Sequence, residues 1–489
     1  MLLSVLAQSV PGSRLTGDAD IARTMHDSRQ IQPGDLYIAI PGTKVDGHDF
    51  ADKAVAAGAA ALLVERELPL PVPQLVVPDA REGWTRVCSA LYGHPQRQLK
   101  LIGITGTKGK STTTWLIKAI LEAAGHKCGL IGTIANFVGQ ERLEQHFTTP
   151  DPSELFPLFR RMADAGCEYC VMEISAQSIH QKKLAGLHFV LGGFTNFSQD
   201  HLDDFGDMEH YAAAKAAFFT PEYLDMAMVN RDDPTSARML ENWNGPTVTY
   251  SCDCDSDADS IAWLPVCTKD GCTFTWRLGE RKPVRMWLKL IGKFNIMNAL
   301  AAATACHMLG LERRPMSAAL AAVPCIEGRV EKVPCNIPSP VYVDYAHSPD
   351  SLASALKAVR PFVQPGKWLV CVIGCGGNRD ASKRPIMGRI AADLADMTIL
   401  TSDNPRDEDP EAIMDQMEAG VRLNSLDLCI RTPDRREAIY CALDLGRNEG
   451  DVVIICGKGH ETYQEIKGVR YPFDDKEIIH DYDHYYDDN

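Results

Sequence analysis

Residues 100–125 read KLIGITGTKGKSTTTWLIKAILEAAG, and this stretch decides the fold class. Its first part, up to Thr105, is the apolar run of a buried strand, and from Ser111 onward the apolar residues recur at helical spacing. A glycine-rich turn joins the two parts, and Gly125 is a typical helix stop. This strand–turn–helix order predicts a phosphate-binding loop.

The predicted loop has the pattern G-x-x-G-K-S, two residues shorter between its glycines than a full Walker A motif. Glycines let backbone N–H groups approach phosphate oxygens, and the start of the helix adds partial positive charge. Lys110 would reach the terminal phosphates, and Ser111 would offer its hydroxyl to Mg²⁺. The alternative is an ordinary glycine-rich turn, but Lys-Ser-Thr at the helix start favours phosphate. The candidate ATP residues here are Gly106, Thr107, Lys108, Gly109, Lys110, Ser111 and Thr112.

The composition is that of a folded, acidic protein. The chain has 489 residues, 45% of them hydrophobic, and a net charge of -15, which argues against a general nucleic-acid binder. No apolar run is long enough for a membrane span, and the first ten residues lack the basic start of a signal peptide. The 16 cysteines form no zinc-ribbon spacing, so we expect reduced thiols in a cytoplasmic protein.

Changes in sequence character divide the chain into three α/β domains. A polar stretch at residues 92–100, YGHPQRQLK, marks the first boundary, and a new strand–helix alternation begins near Arg329. We therefore predict domains at residues 1–95, 96–328 and 329–489, the last of them doubly wound. The acidic C-terminal stretch from His480, HDYDHYYDDN, is predicted to fray in solvent.

A second candidate site lies at the carboxyl edge of the central sheet. Glu173 sits in the apolar segment VMEIS, where a carboxylate needs a partner. His201 follows another strand, beside Asp200. A Mg²⁺ ion bound to nucleotide phosphates would supply the partner, because this ion prefers oxygen ligands. Such an acidic cluster is more often only a solvated loop, but both residues follow strands of one predicted sheet, so they could converge beside the phosphate loop.

Three loops of the last domain each follow a strand and therefore share one sheet edge. They contribute arginines, which recognise carboxylates, and a glutamate, which recognises an ammonium group. The combination suits a free amino acid. The residues concerned are Arg384, Asn404, Arg406, Gly457 and Glu461.

Over nearly its full length the chain resembles the Mur ligases, and within them the branch that adds diaminopimelate. HDSRQIQPGDLYIAIPGTKVDGHDF at 26–50 is similar to the family's uridine-nucleotide segment, and GITGTKGKST at 103–112 to its ATP loop. TNFSQDHLDDFGDMEHYAAAK at 195–215 is similar to the metal and lysine segment, and VDYAHSPD at 343–350 and GCGGNRDASKRPIMG at 374–388 to the C-terminal motifs. DNPR at 403–406 is similar to the signature for diaminopimelate rather than lysine.

The resemblance implies a fold and a reaction. The fold would comprise a small N-terminal α/β domain, a central P-loop ATPase domain and a C-terminal Rossmann-like domain. ATP would phosphorylate the D-glutamyl carboxylate of UDP-N-acetylmuramoyl-L-alanyl-D-glutamate, and the amino group of meso-diaminopimelate would displace the phosphate to form an amide. The implied setting is cytoplasmic synthesis of the peptidoglycan precursor by an enzyme that needs Mg²⁺, which we expect to be a monomer.

The resemblance also implies residue roles. Lys110, Glu173, His201 and Lys215 would be catalytic, with Ser111, Glu173 and His201 at the metal and Lys215 carbamylated to N6-carboxylysine. Further ATP contacts would be Asn295, Arg329, Asp344 and His347. The UDP-muramoyl-dipeptide would contact Ser28, Thr148, Thr149, Ser175, Gln181 and Lys183. Diaminopimelate would contact Arg384, Asp403, Asn404, Pro405, Arg406, Gly457 and Glu461.

The sequence departs from the usual family pattern at a few positions near the predicted substrate site: Lys108, Ala176, Gln177, Lys183 and Phe205. Two alternatives therefore stay open. One is a related ligase that adds lysine or another amine to a different acyl acceptor. The other is a P-loop nucleotide-binding module without ligase activity, which would need no amino-acid pocket.

Overall fold

The computed structural model describes residues 1–42, 45–145, 147–200, 202–422 and 427–485. Within these ranges three large β-sheets follow one another, each built largely of parallel strands flanked by helices, and a two-stranded hairpin makes a fourth, small sheet. The predicted α/β class is confirmed. No helix within those ranges is long and apolar enough to cross a membrane.

The first sheet has five strands in the order β1-β5-β4-β3-β2, all parallel except β1. Strands β3 and β4 are buried along their whole length, as expected of parallel strands covered on both faces. The elements are α1 (Leu3–Ala7), β1 (Arg14–Leu15), β2 (Arg23–Met25), β3 (Asp35–Ile38), α2 (Ala51–Ala56), β4 (Ala61–Val64), β5 (Gln74–Val76) and α3 (Ala80–Leu91).

The second sheet has eleven strands, in the order β16-β15-β14-β13-β12-β11-β6-β10-β7-β8-β9. Its centre is parallel, and an antiparallel extension lies at either end. The elements are β6 (Lys100–Thr105), α4 (Lys110–Ala123), β7 (Cys128–Ile131), β8 (Asn136–Val138), β9 (Glu141–Leu143), α5 (Pro152–Asp164), β10 (Tyr169–Glu173), α6 (Ala176–His180), β11 (Phe189–Phe194), α7 (Leu202–Phe205), α8 (Met208–Ala216), β12 (Ala227–Asn230), α9 (Ser236–Met239), β13 (Thr247–Ser251), β14 (Ser260–Thr268), β15 (Gly271–Leu278), β16 (Val284–Leu288), α10 (Lys293–Met308) and α11 (Arg313–Ala322).

Apolar cores on both faces of this sheet hold it in place. Helices α4, α10 and α11 bury their apolar residues against one face. Helix α5 packs on the other face, where its core is continuous with that of α3 and the first sheet. The first region is therefore attached to the second through shared apolar contacts, and not only by the connecting chain.

The third sheet has the order β17-β18-β22-β19-β20-β21 and is parallel except for β17. Helices α12, α13 and α14 cover one face and α15 and α16 the other, which is the predicted doubly wound arrangement. The elements are β17 (Glu331–Val333), β18 (Val341–Asp344), α12 (Pro349–Val359), β19 (Leu369–Ile373), α13 (Lys383–Leu394), β20 (Met397–Thr401), α14 (Pro410–Glu418), β21 (Cys429–Thr432), α15 (Arg435–Leu445), β22 (Val452–Cys456), the hairpin β23 (Tyr463–Ile466) and β24 (Val469–Pro472), and α16 (Asp475–Tyr485).

The prediction of a frayed acidic tail is wrong for residues 480–485, which continue helix α16. Ile478, Ile479 and Tyr482 of this helix are buried against the sheet, and the Tyr482 hydroxyl donates to Asp444 at 2.8 Å. At the start of the helix Asp475 pairs with Arg435 at 2.7 Å, and both side chains are fully buried. At residues 480–485 burial of apolar surface thus outweighs the charge of the acidic side chains, and residues 486–489 of the predicted tail lie outside the described residues.

Candidate functional site: a phosphate loop beside an amino-acid cleft

The phosphate loop joins β6 to α4 at the carboxyl edge of the second sheet. Gly106 and Gly109 have positive φ angles of 142° and 81°. A Cβ atom at Gly106 would overlap the Thr195 hydroxyl, and one at Gly109 would overlap the Asn298 side chain. Thr195 and Asn196 also bind the Lys108 carbonyl, at 2.6 and 3.1 Å. The loop therefore requires glycine at both positions and is held in shape by the loop that follows β11.

Two lysines point into this loop from different helices. Lys110 Nζ donates to the carbonyls of Gly106 and Thr107, at 2.9 and 3.0 Å. Lys215 Nζ, from α8, donates to the same Gly106 carbonyl at 2.9 Å and is fully buried. Burial lowers the pKa of Lys110 to about 8, and burial together with the neighbouring Lys110 lowers the pKa of Lys215 well below its usual range.

Glu173, at the end of β10, lies beside the loop in a cluster of hydroxyl groups. Ser111 and Thr133 each donate a hydroxyl hydrogen bond to Glu173 Oε2 at 3.0 Å. The Thr133 N–H donates to Oε1 at 2.8 Å. Carboxylate and hydroxyl oxygens are the ligands that Mg²⁺ prefers, so Ser111 and Glu173 fit the predicted metal position. His201, the third predicted ligand, lies outside the described residues.

Residues of the third region close the nucleotide cavity, which measures about 290 Å³ and is lined by loop residues together with Arg329, Asp344 and His347. Arg329 donates to the Ser111 hydroxyl at 3.2 Å. Burial raises the pKa of Asp344 to about 6, and burial with the charge of Lys108 lowers that of His347 to about 3. The pKa values of both Asp344 and His347 are therefore shifted from their ordinary values in this cavity.

The structure places the predicted ATP contact Asn295 behind another asparagine. Asn295 donates to the Ile291 carbonyl at 2.8 Å and accepts from the Asn298 amide at 3.1 Å. Asn298, one turn later on α10, lines the cavity. The resemblance implied Asn295 on this helix and missed Asn298, because only tertiary packing brings Asn298 to Gly109.

A larger cleft of about 1530 Å³ adjoins the nucleotide cavity. It gathers most of the remaining predicted site residues: Thr148, Thr149, Ser175, Gln181, Lys183, Asp403, Asn404, Arg406, Gly457 and Glu461. Ser28, Arg384 and Pro405 are not among the described residues that line it. Ser28 lies in a short 3-10 helix of the first region, Ser28–Gln30.

A polar cluster forms the third-region wall of this cleft. The Asn404 amide donates to Glu461 Oε2 at 2.8 Å. Lys458, which is fully buried, donates to the same oxygen at 3.0 Å and to Asn404 Oδ1 at 3.3 Å. Burial, reinforced by the nearby Asp403 carboxylate, raises the pKa of Glu461. Lys458 is not among the site residues predicted from the sequence, and its two contacts show an ordered role.

Arg384 and Arg406, both predicted to meet the amino acid, have different surroundings. Arg384 is 1% exposed and is held by Glu408 at 2.7 Å and Gln416 at 2.9 Å. Arg406 lines the cleft, and its backbone has a positive φ of 51°. The Arg406 guanidinium donates to the Gly377 carbonyl at 2.8 Å. Of the two arginines, only Arg406 reaches the cleft in this structure.

Four of the five departures from the family pattern also lie at these cavities: Lys108, Ala176, Gln177 and Lys183. Lys108 pairs with Asp200 at 3.0 Å, and Lys183 with Asp151 at 2.7 Å. Gln177, which lines both cavities, donates to Asp204 at 2.6 Å. These side chains bring local positive charge or amide groups to sites within a chain that is acidic as a whole.

Comparison with known proteins assigns the whole chain to one family. Residues 104–306 match the Mur ligase middle domain, 328–459 the Mur ligase glutamate ligase domain and 20–84 the Mur ligase family catalytic domain. The chain belongs to the Mur ligase family. The predicted three-part architecture of this Mur ligase is confirmed by these matches and by the solved structure described next.

The Mur ligase is 40% identical to UDP-N-acetylmuramoyl-L-alanyl-D-glutamate--2,6-diaminopimelate ligase of Geobacillus thermodenitrificans, over 98% of each chain. It is 43% identical to the protein of the same name from Gloeobacter violaceus, over 97% of this chain and 96% of the relative. A solved structure of an enzyme with this name is 32% identical and superposes with a TM-score of 0.66, covering 96% of this Mur ligase and 95% of that chain.

Proposed function

We propose that this Mur ligase adds meso-diaminopimelate to the D-glutamyl carboxylate of UDP-N-acetylmuramoyl-L-alanyl-D-glutamate, using ATP, in cytoplasmic synthesis of the peptidoglycan precursor. One observation carries the proposal. The nucleotide cavity and the cleft share a wall, to which Thr133, Ser175, Tyr345 and His347 contribute among others. A carboxylate at that wall meets the phosphate loop on one side and the amino-acid pocket on the other.

The reaction needs this arrangement because a carboxylate is a poor electrophile until one of its oxygens becomes part of a leaving group. Transfer of the terminal phosphate of ATP to the carboxylate forms an acyl phosphate. The amine then attacks the carbonyl carbon, and phosphate leaves. Lys110, Arg329 and the N–H groups of the loop would stabilise the charge that develops on the transferring phosphoryl group.

We propose Ser111, Glu173 and His201 as the metal position, and Mg²⁺ there would neutralise phosphate charge. The buried oxygens of Ser111 and Glu173 support this assignment. We also propose that Lys215 is carbamylated. Its amine nitrogen would bond to the carbon of CO₂ and release a proton, and this step requires a neutral amine. The lowered pKa of Lys215 supplies such an amine.

We propose that each substrate uses a different region of the chain. Residues 1–95, with Ser28, would bind the uridine nucleotide, and residues 96–328 would bind ATP. Thr148, Thr149, Ser175, Gln181 and Lys183 of the cleft would hold the peptide part of the acceptor. Residues 329–489 would bind diaminopimelate through Arg406, Asn404 and Glu461, with Asp403 and Gly457 beside them. Arg384 and Pro405 would act from behind the cleft by holding its loops.

The ligase activity is tested by phosphate release. The purified protein is incubated with ATP, Mg²⁺ and the UDP-muramoyl-dipeptide, and meso-diaminopimelate or L-lysine is then added. We expect release with diaminopimelate only. Release with lysine alone would contradict the pocket assignment, and no release with either amine would favour a nucleotide-binding module.

Arg406→Ala tests the amino-acid site separately from the ATP site. We expect the KM for diaminopimelate to rise about 10- to 100-fold, because a charged hydrogen bond contributes about 1.5–3 kcal/mol. The KM for ATP should stay unchanged. The control is Arg436→Ala, an exposed arginine that pairs with Asp481, and this change should alter neither constant. An equal loss of both substrates in Arg406→Ala would show that its role is misplaced.

A further inference from the structure

Cys267 and Cys272 face each other across the hairpin formed by β14 and β15. The strands are antiparallel, and the register pairs Cys267 directly with Cys272, next to the turn at Lys269 and Asp270. Directly opposed residues in antiparallel strands have Cα atoms about 4.5 or 5.5 Å apart. Both values lie within the range of about 4.4–6.8 Å found in disulfides. The register of the hairpin therefore gives the two residues a Cα spacing that is compatible with a disulfide.

The two thiols differ in the way that a reactive pair requires. Cys267 is half-buried, and Cys272 is buried. The adjacent Cys272 side chain, the Gly292 backbone and the charge of Lys293 lower the pKa of Cys267. The adjacent Cys267 side chain and burial raise the pKa of Cys272. A partly exposed thiol with a lowered pKa beside a second, resolving thiol is the usual arrangement of a redox-sensitive site.

The pair also contacts the start of helix α10. The Cys272 thiol donates to the Gly292 carbonyl at 3.7 Å. Gly292 is the N-cap of α10, with a positive φ of 94°. The same helix carries Asn298, which lies against Gly109 of the phosphate loop. A covalent bond between the sulfurs would remove the thiol hydrogen that now reaches Gly292.

We propose that Cys267 and Cys272 are a reversible thiol–disulfide site, oxidised by a small-molecule disulfide, and that the bond weakens ATP binding through the start of α10. The Cys267 thiolate attacks one sulfur of oxidised glutathione and releases one glutathione thiolate. The Cys272 thiolate then attacks the Cys267 sulfur and releases the second. Two protein thiols become one disulfide, and their two protons pass to the two glutathione molecules.

Peptide mapping of the full-length protein tests the bond. Trypsin cleaves after Lys269, so the disulfide joins the peptide 270–277 to the peptide 239–269. We expect this linked pair after treatment with oxidised glutathione and its loss after dithiothreitol. Cys267→Ser should abolish the link. Cys254→Ser is the matched control. Cys254 is a half-buried thiol of the same peptide, and its replacement should leave the link intact. A peptide 270–277 that stays unlinked while Cys254 reacts would overturn the proposal.

The effect on ATP is measured on the same samples. We expect the KM for ATP to rise about fivefold on oxidation, the lower end of coupling between sites, and to recover with dithiothreitol. Oxidised Cys272→Ser should keep the reduced value. A linked pair with an unchanged KM for ATP would overturn the coupling. This part rests on the proposed ATP site, and reduced wild-type protein that fails to use ATP would instead refute the proposed function.

Discussion

Replacement of Lys110 is expected to separate stability from function. This buried ammonium group has a pKa of about 8 instead of 10.5, chiefly because it is removed from water. At 1.36 kcal/mol for each pKa unit, the difference corresponds to about 3 kcal/mol that opposes folding. Methionine would remove this cost but leave the Thr107 carbonyl without its Lys110 donor and the Gly106 carbonyl with Lys215 alone, which costs about 1–2 kcal/mol. We therefore expect Lys110→Met to raise the free energy of unfolding by about 1–2 kcal/mol and to abolish ligase activity.

The sign of the effect depends on pH in a way that can be measured. Because the folded pKa lies below the unfolded one, the cost of the Lys110 charge is fully present below about pH 8. It declines as the pH rises and is gone above the unfolded value of 10.5. Urea unfolding can be followed by circular dichroism at pH 7 and pH 10. The gain in free energy of unfolding of Lys110→Met over wild type should be larger at pH 7 than at pH 10.

Lys108→Met is the matched control for this experiment. Lys108 lies in the same loop, but its side chain is 26% exposed and its ammonium pairs with Asp200, so its removal should change stability by less than about 1 kcal/mol. Unfolding of Lys110→Met at a lower urea concentration than wild type at pH 7 would refute the expected cost of burying the Lys110 charge. A gain in stability that is the same at pH 7 and pH 10 would also refute it, because the cost should decline as Lys110 loses its proton.

Three further predictions follow from buried charges. The KM for ATP should rise up to about tenfold per pH unit above about pH 8, because deprotonated Lys110 must take up a proton when phosphate binds; a flat profile to pH 9.5 would contradict this. Lys458→Met should raise the KM for diaminopimelate about tenfold and leave that for ATP unchanged, because Lys458 orients Asn404 and Glu461; equal changes in both constants would indicate general misfolding. Asp475→Asn should lower the free energy of unfolding by about 3–5 kcal/mol in urea titrations, because it leaves the buried Arg435 charge without its carboxylate partner and with backbone carbonyls alone. A loss below about 1 kcal/mol would show that water reaches this pair.

The phosphate loop could be predicted from sequence because its signals are local. The strand, the glycines and the helix start follow one another within residues 100–125, and backbone geometry alone links them. The loops that carry Asn404 and Glu461 were predictable for a similar reason, since parallel strands end at a common edge. Their pairing at 2.8 Å follows from that topology.

The remaining features depend on packing that sequence spacing does not reveal. Asn298 reaches Gly109 only because α10 packs along α4. Arg384 is held by Glu408, from the loop between β20 and α14, and by Gln416 of α14. Apolar burial, which no charge count predicts, orders residues 480–485 of the acidic C-terminal stretch as a helix.

The nucleotide cavity is shared between two regions, and this limits how the chain could be recombined. Arg329 binds Ser111, and Asp344 and His347 line the same cavity. The chain also packs closely where it passes from the second region to the third, because a Cβ atom at Gly328 would overlap the backbone of Gly459 and His460. A chimera that exchanged residues 329–489 to change amino-acid choice would therefore also replace part of the ATP site. Altered specificity in such hybrids is more readily obtained by grafting the loops around Asn404 and Glu461 than by exchanging whole modules.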